Sequence, residues 1–486
     1  MGLNKGRQPE GLLICSVFEL WERLGFYVVQ SSLVIFLVNQ LKFNDIKAYS
    51  LYAAFTGLLY AGPVLGGFLA DNFLNLNRSI FLGIIFYIAG YLALSFHSGF
   101  VFYVAFGLLI AGNSFVKSNV STLVGALYQD NDLRRDAGFT LFYFGMNIGQ
   151  VIGPLAAAFA IKYSGFSSAF LIAALSLVFS LISFAYGQRY FTPEKLSEDV
   201  VSCSASKQQR NIIYACSVVV VFALAILLPY SHALNIGMIA LSVLALVYLL
   251  YCGMKIPLAE DRFRLFSLII LFVFSAIYWG IWMQVFTSLT LFAERNVHRV
   301  FLGFKMPVEV LASIESVGII LFAPLLAKIW LSLGNSRWQP GFAMKFAYGF
   351  LFCAFAFALL VLALAFSPSG AIALFWLVAS MFLMAISELC LSAIGLSAVT
   401  VLSPKSMRST MMGFWFVTIA AGLMIANKLA DMSVISKHAG AHASALAYTA
   451  AFTDYAVLSF VMFVVLVCLS PVINRLSSFT SASLKV

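Results

Sequence analysis

Charged side chains make up only 10% of this 486-residue sequence, where soluble domains carry roughly a quarter. That shortage excludes water as the main solvent. Cysteine is sparse: Cys15, Cys203, Cys216, Cys252, Cys353, Cys390 and Cys468 form no CxxC pair, and none has a histidine at metal-ligand spacing from it. Neither a disulfide framework nor a metal site is suggested, and the seven read as small buried apolar residues. The five histidines (His97, His232, His298, His438, His442) fall in or near predicted outer loops, which argues against a histidine relay for protons across the membrane. No P-loop, HExxH, GxSxG or nucleotide motif is present. No enzyme and no cofactor is therefore expected, and the energy for any work should come from a gradient. Signals for a lipid anchor or a cleaved leader are also missing. Residue 6 is Gly where myristoylation needs Ser or Thr, the end SASLKV has no prenylation Cys, and the first apolar run is broken by Glu19, Glu22 and Arg23.

What fills the chain instead is apolar, 62% of it. Runs of about 20 apolar residues, enough to cross a bilayer, recur throughout. Candidate spans lie near 11–39, 48–74, 79–97, 100–128, 137–162, 166–187, 211–230, 233–253, 265–293, 307–333, 341–366, 370–402, 409–434 and 450–474. Fourteen spans put both termini on one side, and the bias of Lys and Arg says which. With the N-terminus inside, 19 basic residues fall in inner segments and 8 in outer ones, leaving Arg23 and Lys117 inside the membrane. Both termini are predicted cytoplasmic. The net charge of +10 follows from this bias, and with no basic and aromatic patch a nucleic-acid partner has no support. The polar stretch 188–210 reads as a cytoplasmic linker after an N-terminal six-helix bundle (1–187). An inserted transmembrane hairpin (211–253) and a C-terminal six-helix bundle (254–486) follow. The fold class is thus an all-α integral membrane protein, and the six-two-six plan suits a major-facilitator scaffold whose halves rock around a midplane site.

An ionisable group at bilayer depth costs about 2.5–3.5 kcal/mol on insertion scales, so each one kept there needs a partner or a wet cavity. Glu19, Glu22 and Arg23 sit on the first helix, with Glu19 and Arg23 at i and i+4. Lys117, Glu315 and Glu388 follow on the fourth, eighth and tenth helices of the main scaffold. Four acids against two bases would carry about −2 if all were ionised. Desolvation and like-charge repulsion disfavour that state, so protons can load and leave near neutral pH. The functional reading is a cavity with bases for a substrate carboxylate, acids for an amine, and a proton-carrying carboxyl. The alternative is a set of ion pairs that only lock helices together.

At these residues the chain resembles the proton-dependent oligopeptide transporter family. Glu19-x-x-Glu22-Arg23 matches its ExxER signature, with Tyr27 at a tyrosine position. Gly66-Gly67 through Asp71, then Arg78, matches its loop between helices 2 and 3. Lys117 matches its helix 4 lysine, and Phe142-Tyr143 through Asn147 and Gly149 its FYxxINxG motif. Glu388 through Ser397, then Met411 through Phe416, follows its helix 10 and 11 pattern. The resemblance implies that Arg23 and Lys117 receive a peptide carboxylate, Asn147 and Glu388 receive its amine, and Glu19 and Glu22 with Arg23 take part in proton coupling. Tyr27, Tyr60, Trp279 and Trp415 would line side-chain pockets.

Departures stand beside the likeness. Met283 holds the place of a usual helix 7 acid, Gln30 that of a common arginine, and Ala393 that of a proline whose loss should stiffen helix 10. Glu315 stands where Asn is frequent, so an acid has moved from helix 7 to helix 8, or Glu315 binds a second cationic group of the substrate. The leading expectation is proton-coupled symport of di- and tripeptides or peptide-like solutes, by a monomer in the plasma membrane, a bacterial inner membrane. The same fold carrying an amine-bearing solute, exported by proton exchange, is the alternative.

Overall fold

The computed structural model describes residues 8–96, 98–128, 134–191, 206–301, 303–334, 340–367, 369–404, 407–435 and 440–477. Most of the expected linker (192–205), Cys203, His97 and His438 lie outside the described residues. Helix dominates the rest: α1 Glu10–Ile35, α2 Asp45–Leu69, α3 Leu76–Phe96, α4 Gly99–Ala126, α5 Arg135–Ser164, α6 Phe166–Gly187, α7 Lys207–Leu227, α8 Ser231–Lys255, α9 Ala259–Trp282, α10 Ser288–Asn296, α11 Leu311–Gly334, α12 Phe342–Ala365, α13 Leu374–Leu402, α14 Arg408–Asp431 and α15 Ala441–Ser477. All but α10 have at least 21 residues, about 31 Å of rise and enough for the hydrocarbon layer. Among the described residues, twelve stretches qualify by length and composition to cross a membrane, with α7 and α8 taken as one. The helix α1 falls outside that set because it contains Glu19, Glu22 and Arg23.

Side-chain caps start several helices where the sequence supplies them. Asn44 Oδ1 accepts from Lys47 N at 2.8 Å before α2, and Asn75 Oδ1 accepts from Arg78 N at 3.0 Å before α3. Asn75 has φ +63°, a left-handed conformation that Asn tolerates better than most. Ser206 and Gln209 form a reciprocal capping box at the start of α7. Short strands are confined to the segments around α10 and α13: β1 Val297–His298 pairs in parallel with β4 Ile372–Ala373, and β2 Val300–Phe301 pairs antiparallel with β3 Phe304–Lys305.

The chain packs into two compact units, one of Met1–Leu33 and Leu58–Tyr230, the other of Val34–Gly57 and Ser231–Val486. The hairpin divides between them, α7 with the first and α8 with the second. In the first unit, α7 lies against α4 where Gly107 leaves no side chain: a Cβ there would stand 2.5 Å from the Val221 carbonyl. In the second, Ser231 at the start of α8 bonds Ser50 (2.9 Å), and Asn235 Nδ2 donates to the Ser50 carbonyl (3.1 Å). There too, Arg295 clasps Asp45 with two hydrogen bonds, 2.8 and 2.9 Å.

Much of the apolar surface stays uncovered, as lipid permits. Val219, Leu241, Leu244 and Phe460 are all exposed. The cysteines divide the same way. Cys15, Cys353 and Cys390 are buried as expected, but Cys216 and Cys468 are exposed, because a lipid-facing helix surface accepts a small apolar side chain as readily as a core does.

Two interruptions show how freed backbone groups find partners. Pro63 inside α2 lacks the N–H that would bond the Leu59 carbonyl. Asn113 Nδ2 on α4 bonds that carbonyl instead (2.5 Å), while its Oδ1 accepts from the Tyr87 hydroxyl at 2.7 Å. The span predicted as continuous near 265–293 breaks at Met283–Phe286, between α9 and α10. Gln284 bridges the break: its Nε2 donates to the Gly280 and Ala426 carbonyls (3.1 and 3.0 Å), and its Oε1 accepts from Thr287 and Ser288 (3.2 and 2.7 Å). Helix α13, by contrast, runs 29 residues without an internal proline, in keeping with Ala393.

Asn113→Ala should strand the Leu59 carbonyl and the Tyr87 hydroxyl, with an expected loss on the order of 1–3 kcal/mol. Thermal unfolding of the purified protein in detergent checks this through a lowered midpoint; an unchanged midpoint would refute the proline repair.

Candidate functional site

Three glycines place the first charge cluster. Gly145, Gly149 and Gly153, spaced by four along α5, turn their bare faces to α1, where an added Cβ would lie 2.5 Å from the Ser16 carbonyl, 2.4 Å from that of Leu20 and 2.7 Å from that of Leu24. This is the small-residue spacing that lets membrane helices approach backbone to backbone. Gly149 lies directly under the Arg23 Cβ, and Gly153 under that of Tyr27.

On the seat so made, Arg23 is held from several sides. Its Nη2 donates to Glu22 Oε1 at 2.7 Å, its Nε contacts Glu22 Oε2, and Nε stands 3.4 Å from Glu19 Oε1. The Phe26 ring lies 4.4 Å below the guanidinium, a favourable cation–π distance. The i,i+4 pair with Glu19 is therefore present, but the two-point contact is with Glu22. All three side chains are no more than 5% exposed. Lys117 of α4 is half-buried and interacts electrostatically with Glu19, Glu22 and Arg23. Tyr87 and Tyr91 of α3 stack at 5.8 Å beside Glu22. Tyr27, Tyr60 and Asn147 belong to the same unit and are half-buried. The Asn147 amide donates to Tyr143 O on its own helix at 2.8 Å.

The second unit holds an acidic pair. Gly318 on α11 meets Ala385 on α13, where a Cβ would be 2.8 Å from the alanine methyl. One turn away from that contact, Glu315 and Glu388 interact electrostatically with each other. Glu315 is 1% exposed, so it does not face lipid, and Glu315 Oε1 and Glu388 Oε2 are buried without a hydrogen-bond partner. Beside them, Tyr278 bonds Ser387 (2.9 Å), and Ser387 donates to the Gly349 carbonyl at 2.6 Å, tying α9, α13 and α12 together.

Trp279 is buried against Gly422, and its indole nitrogen has no acceptor. The nitrogen of Trp282 is in the same state, its ring 5.3 Å from that of Trp279. Sequence reading passed over Trp282, although its i+3 spacing from Trp279 was visible. Trp415 is buried over Gly395, where a Cβ would collide with the ring at 1.9 Å, and lies 6.3 Å from Phe272. Met283 is buried at the helix break, and Gln30 is buried on α1. The described sites therefore form two sets, one in each unit.

A helical membrane protein with buried ionisable groups in each of two units has the build of a solute carrier. Residues 77–446 match the family model described as PTR2, the POT family, and the chain belongs to that family. It is 30% identical over 492 residues to dipeptide and tripeptide permease A of Klebsiella pneumoniae, covering all of this chain and 96% of the relative. The permease of the same name from Escherichia coli K12 is also 30% identical, with 99% and 96% covered. Among solved structures, a variant of the peptide transporter POT in complex with alafosfalin aligns with a TM-score of 0.85 at 28% identity, covering 99% and 97% of the two chains. The sulfate complex of that transporter gives 0.84 at 29%, with 98% and 97% covered. The fold is the major-facilitator fold of these transporters, and the chain is a multi-pass membrane protein.

Gly149→Val should wedge α5 from α1 and displace Arg23, abolishing transport. Gly237→Ala on α8, where a Cβ meets nothing within 4 Å, should leave transport and folding intact. Uptake by the two variants, reconstituted side by side, provides the check; activity retained in Gly149→Val would refute the glycine seat.

Proposed function

We propose that the chain is a proton-coupled symporter of di- and tripeptides or peptide-like solutes. The observation that carries the reading is the division of charge: bases joined to acids on α1 and α4, and acids alone on α11 and α13. A carboxylate finds its counterpart in the bases and an ammonium in the acids. Arg23 and Lys117 receive the carboxylate; Asn147 and Glu388 receive the ammonium. Tyr27, Tyr60, Trp279 and Trp415 shape the space for side chains, and Trp282 joins them through its unpaired indole N–H.

Protons enter the cycle at Glu19 and Glu22, whose hold on Arg23 weakens when they are neutralised, freeing the guanidinium for substrate. Glu315 adds a second proton position, shared with Glu388, in a protein whose Met283 cannot titrate. The protein works as a monomer in the bacterial inner membrane, with both termini cytoplasmic. Its sequence falls into a first bundle (1–187), a linker (188–210), a hairpin (211–253) and a second bundle (254–486). A second reading, an amine-rich solute moved by proton exchange, is favoured by the unpartnered oxygens of Glu315 and Glu388, which suit an extra cationic group.

Uptake of labelled dialanine into liposomes under an inward proton gradient separates these readings. The symporter accumulates it; Glu22→Gln abolishes gradient-driven accumulation, and Glu315→Gln reduces it if the shared proton is part of the cycle. No uptake under any gradient would overturn the peptide reading.

A further inference from the structure

Apart from both charge sets, an apolar slot of about 460 Å³ lies between α8, α9 and α14, a volume within the usual range of small-ligand sites. Leu246, Leu249, Phe272, Ile277, Val417 and Ala421 form its walls. The two wall hydroxyls are taken up by helix carbonyls, Ser242 bonding Met238 O at 2.8 Å and Thr418 bonding Trp415 O at 2.7 Å. The walls therefore offer nothing to a polar guest. Lining residues on α14 run from Phe414 to Lys428, roughly 21 Å at the helical rise. The slot is long and narrow, the shape of one extended hydrocarbon chain.

Its edge opens sideways. Ile239 and Val243 of α8 and Val273 of α9 are exposed, and all three helices lie within membrane-crossing stretches. A guest enters from the bilayer, not from water. At one end stands Lys428 in the last turn of α14, its side chain 63% exposed and its Nζ 3.7 Å from Asp431 Oδ2. That separation is beyond a direct hydrogen bond, so the ammonium keeps donors for another anion. We propose that the slot binds one glycerophospholipid with an anionic headgroup, an acyl chain lying along α14 and the phosphate at Lys428. Because α8 supplies one wall, the site exists only where the hairpin is present.

The test uses the full-length protein, delipidated in detergent and titrated with phosphatidylglycerol or phosphatidylcholine, with bound lipid counted by native mass spectrometry. One phosphatidylglycerol should be retained per chain, favoured over phosphatidylcholine by roughly fivefold, the scale of one lysine–lipid charge contact. Lys428→Gln should erase the preference while keeping one lipid bound. Ala421→Phe should fill the slot and remove the bound lipid, and Val243→Trp should do so from the exposed edge if the buried substitution disturbs folding, which thermal unfolding reports. Equal retention of both lipids by the unaltered protein, or undiminished retention in well-folded Ala421→Phe and Val243→Trp, would overturn the proposal. So would a dimer mass that disappears in Ala421→Phe, because a second copy would then be the occupant.

Discussion

Inside a bilayer no water is available to pair a backbone amide or a side-chain carbonyl, so each polar group must find its partner within the protein. Two interruptions of the described helices obey this rule. Asn113 on α4 bonds the carbonyl that Pro63 releases, and one glutamine, Gln284, uses both ends of its amide to join the pieces on either side of a break. Against that background the exceptions stand out. Glu315, Glu388, Trp279 and Trp282 are among the described residues that keep buried polar atoms without partners, and all four belong to the second unit. Leaving such atoms unpaired costs stability.

Close helix approach is the second theme, and glycine makes it possible. The α1–α5 contact depends on three bare positions in a row; the α11–α13 contact depends on Gly318; Trp415 lies where Gly395 has no side chain. In each case a charged or aromatic group that matters sits within a turn of the glycine. Where α1 meets α5 the backbones themselves touch, which constrains position more tightly than flexible side chains do.

The spans, their number and the six intramembrane charges were legible in the sequence because apolar runs and isolated charges are local signals. Glu19 and Arg23 could be paired from spacing alone. Other features were not local. The break at Met283 has no proline or glycine to announce it; it is stabilised by Ala426, some 140 residues on. The nearness of Glu315 to Glu388 depends on how two helices pack, which periodicity does not encode. The exposure of Cys216 and Cys468 went unread because apolar residues facing lipid and facing a core look alike in sequence. The run of glycines at 145, 149 and 153 was visible, yet without a partner helix its meaning was not.

The Asp45–Arg295 clasp bears on the order in which the protein is made. The two residues are 250 positions apart, and the segment Val34–Gly57 packs with the unit completed by Ser231–Val486. At ordinary synthesis rates of roughly 5–20 residues per second, Asp45 emerges some 10–50 s before its arginine. During that interval the ends of α1 and α2 have left the translation machinery but lack the surface they finally join. The segment Val34–Gly57, though made early, is therefore among the last to settle, and biogenesis must hold it open while seven more helices, α3 to α9, are threaded past.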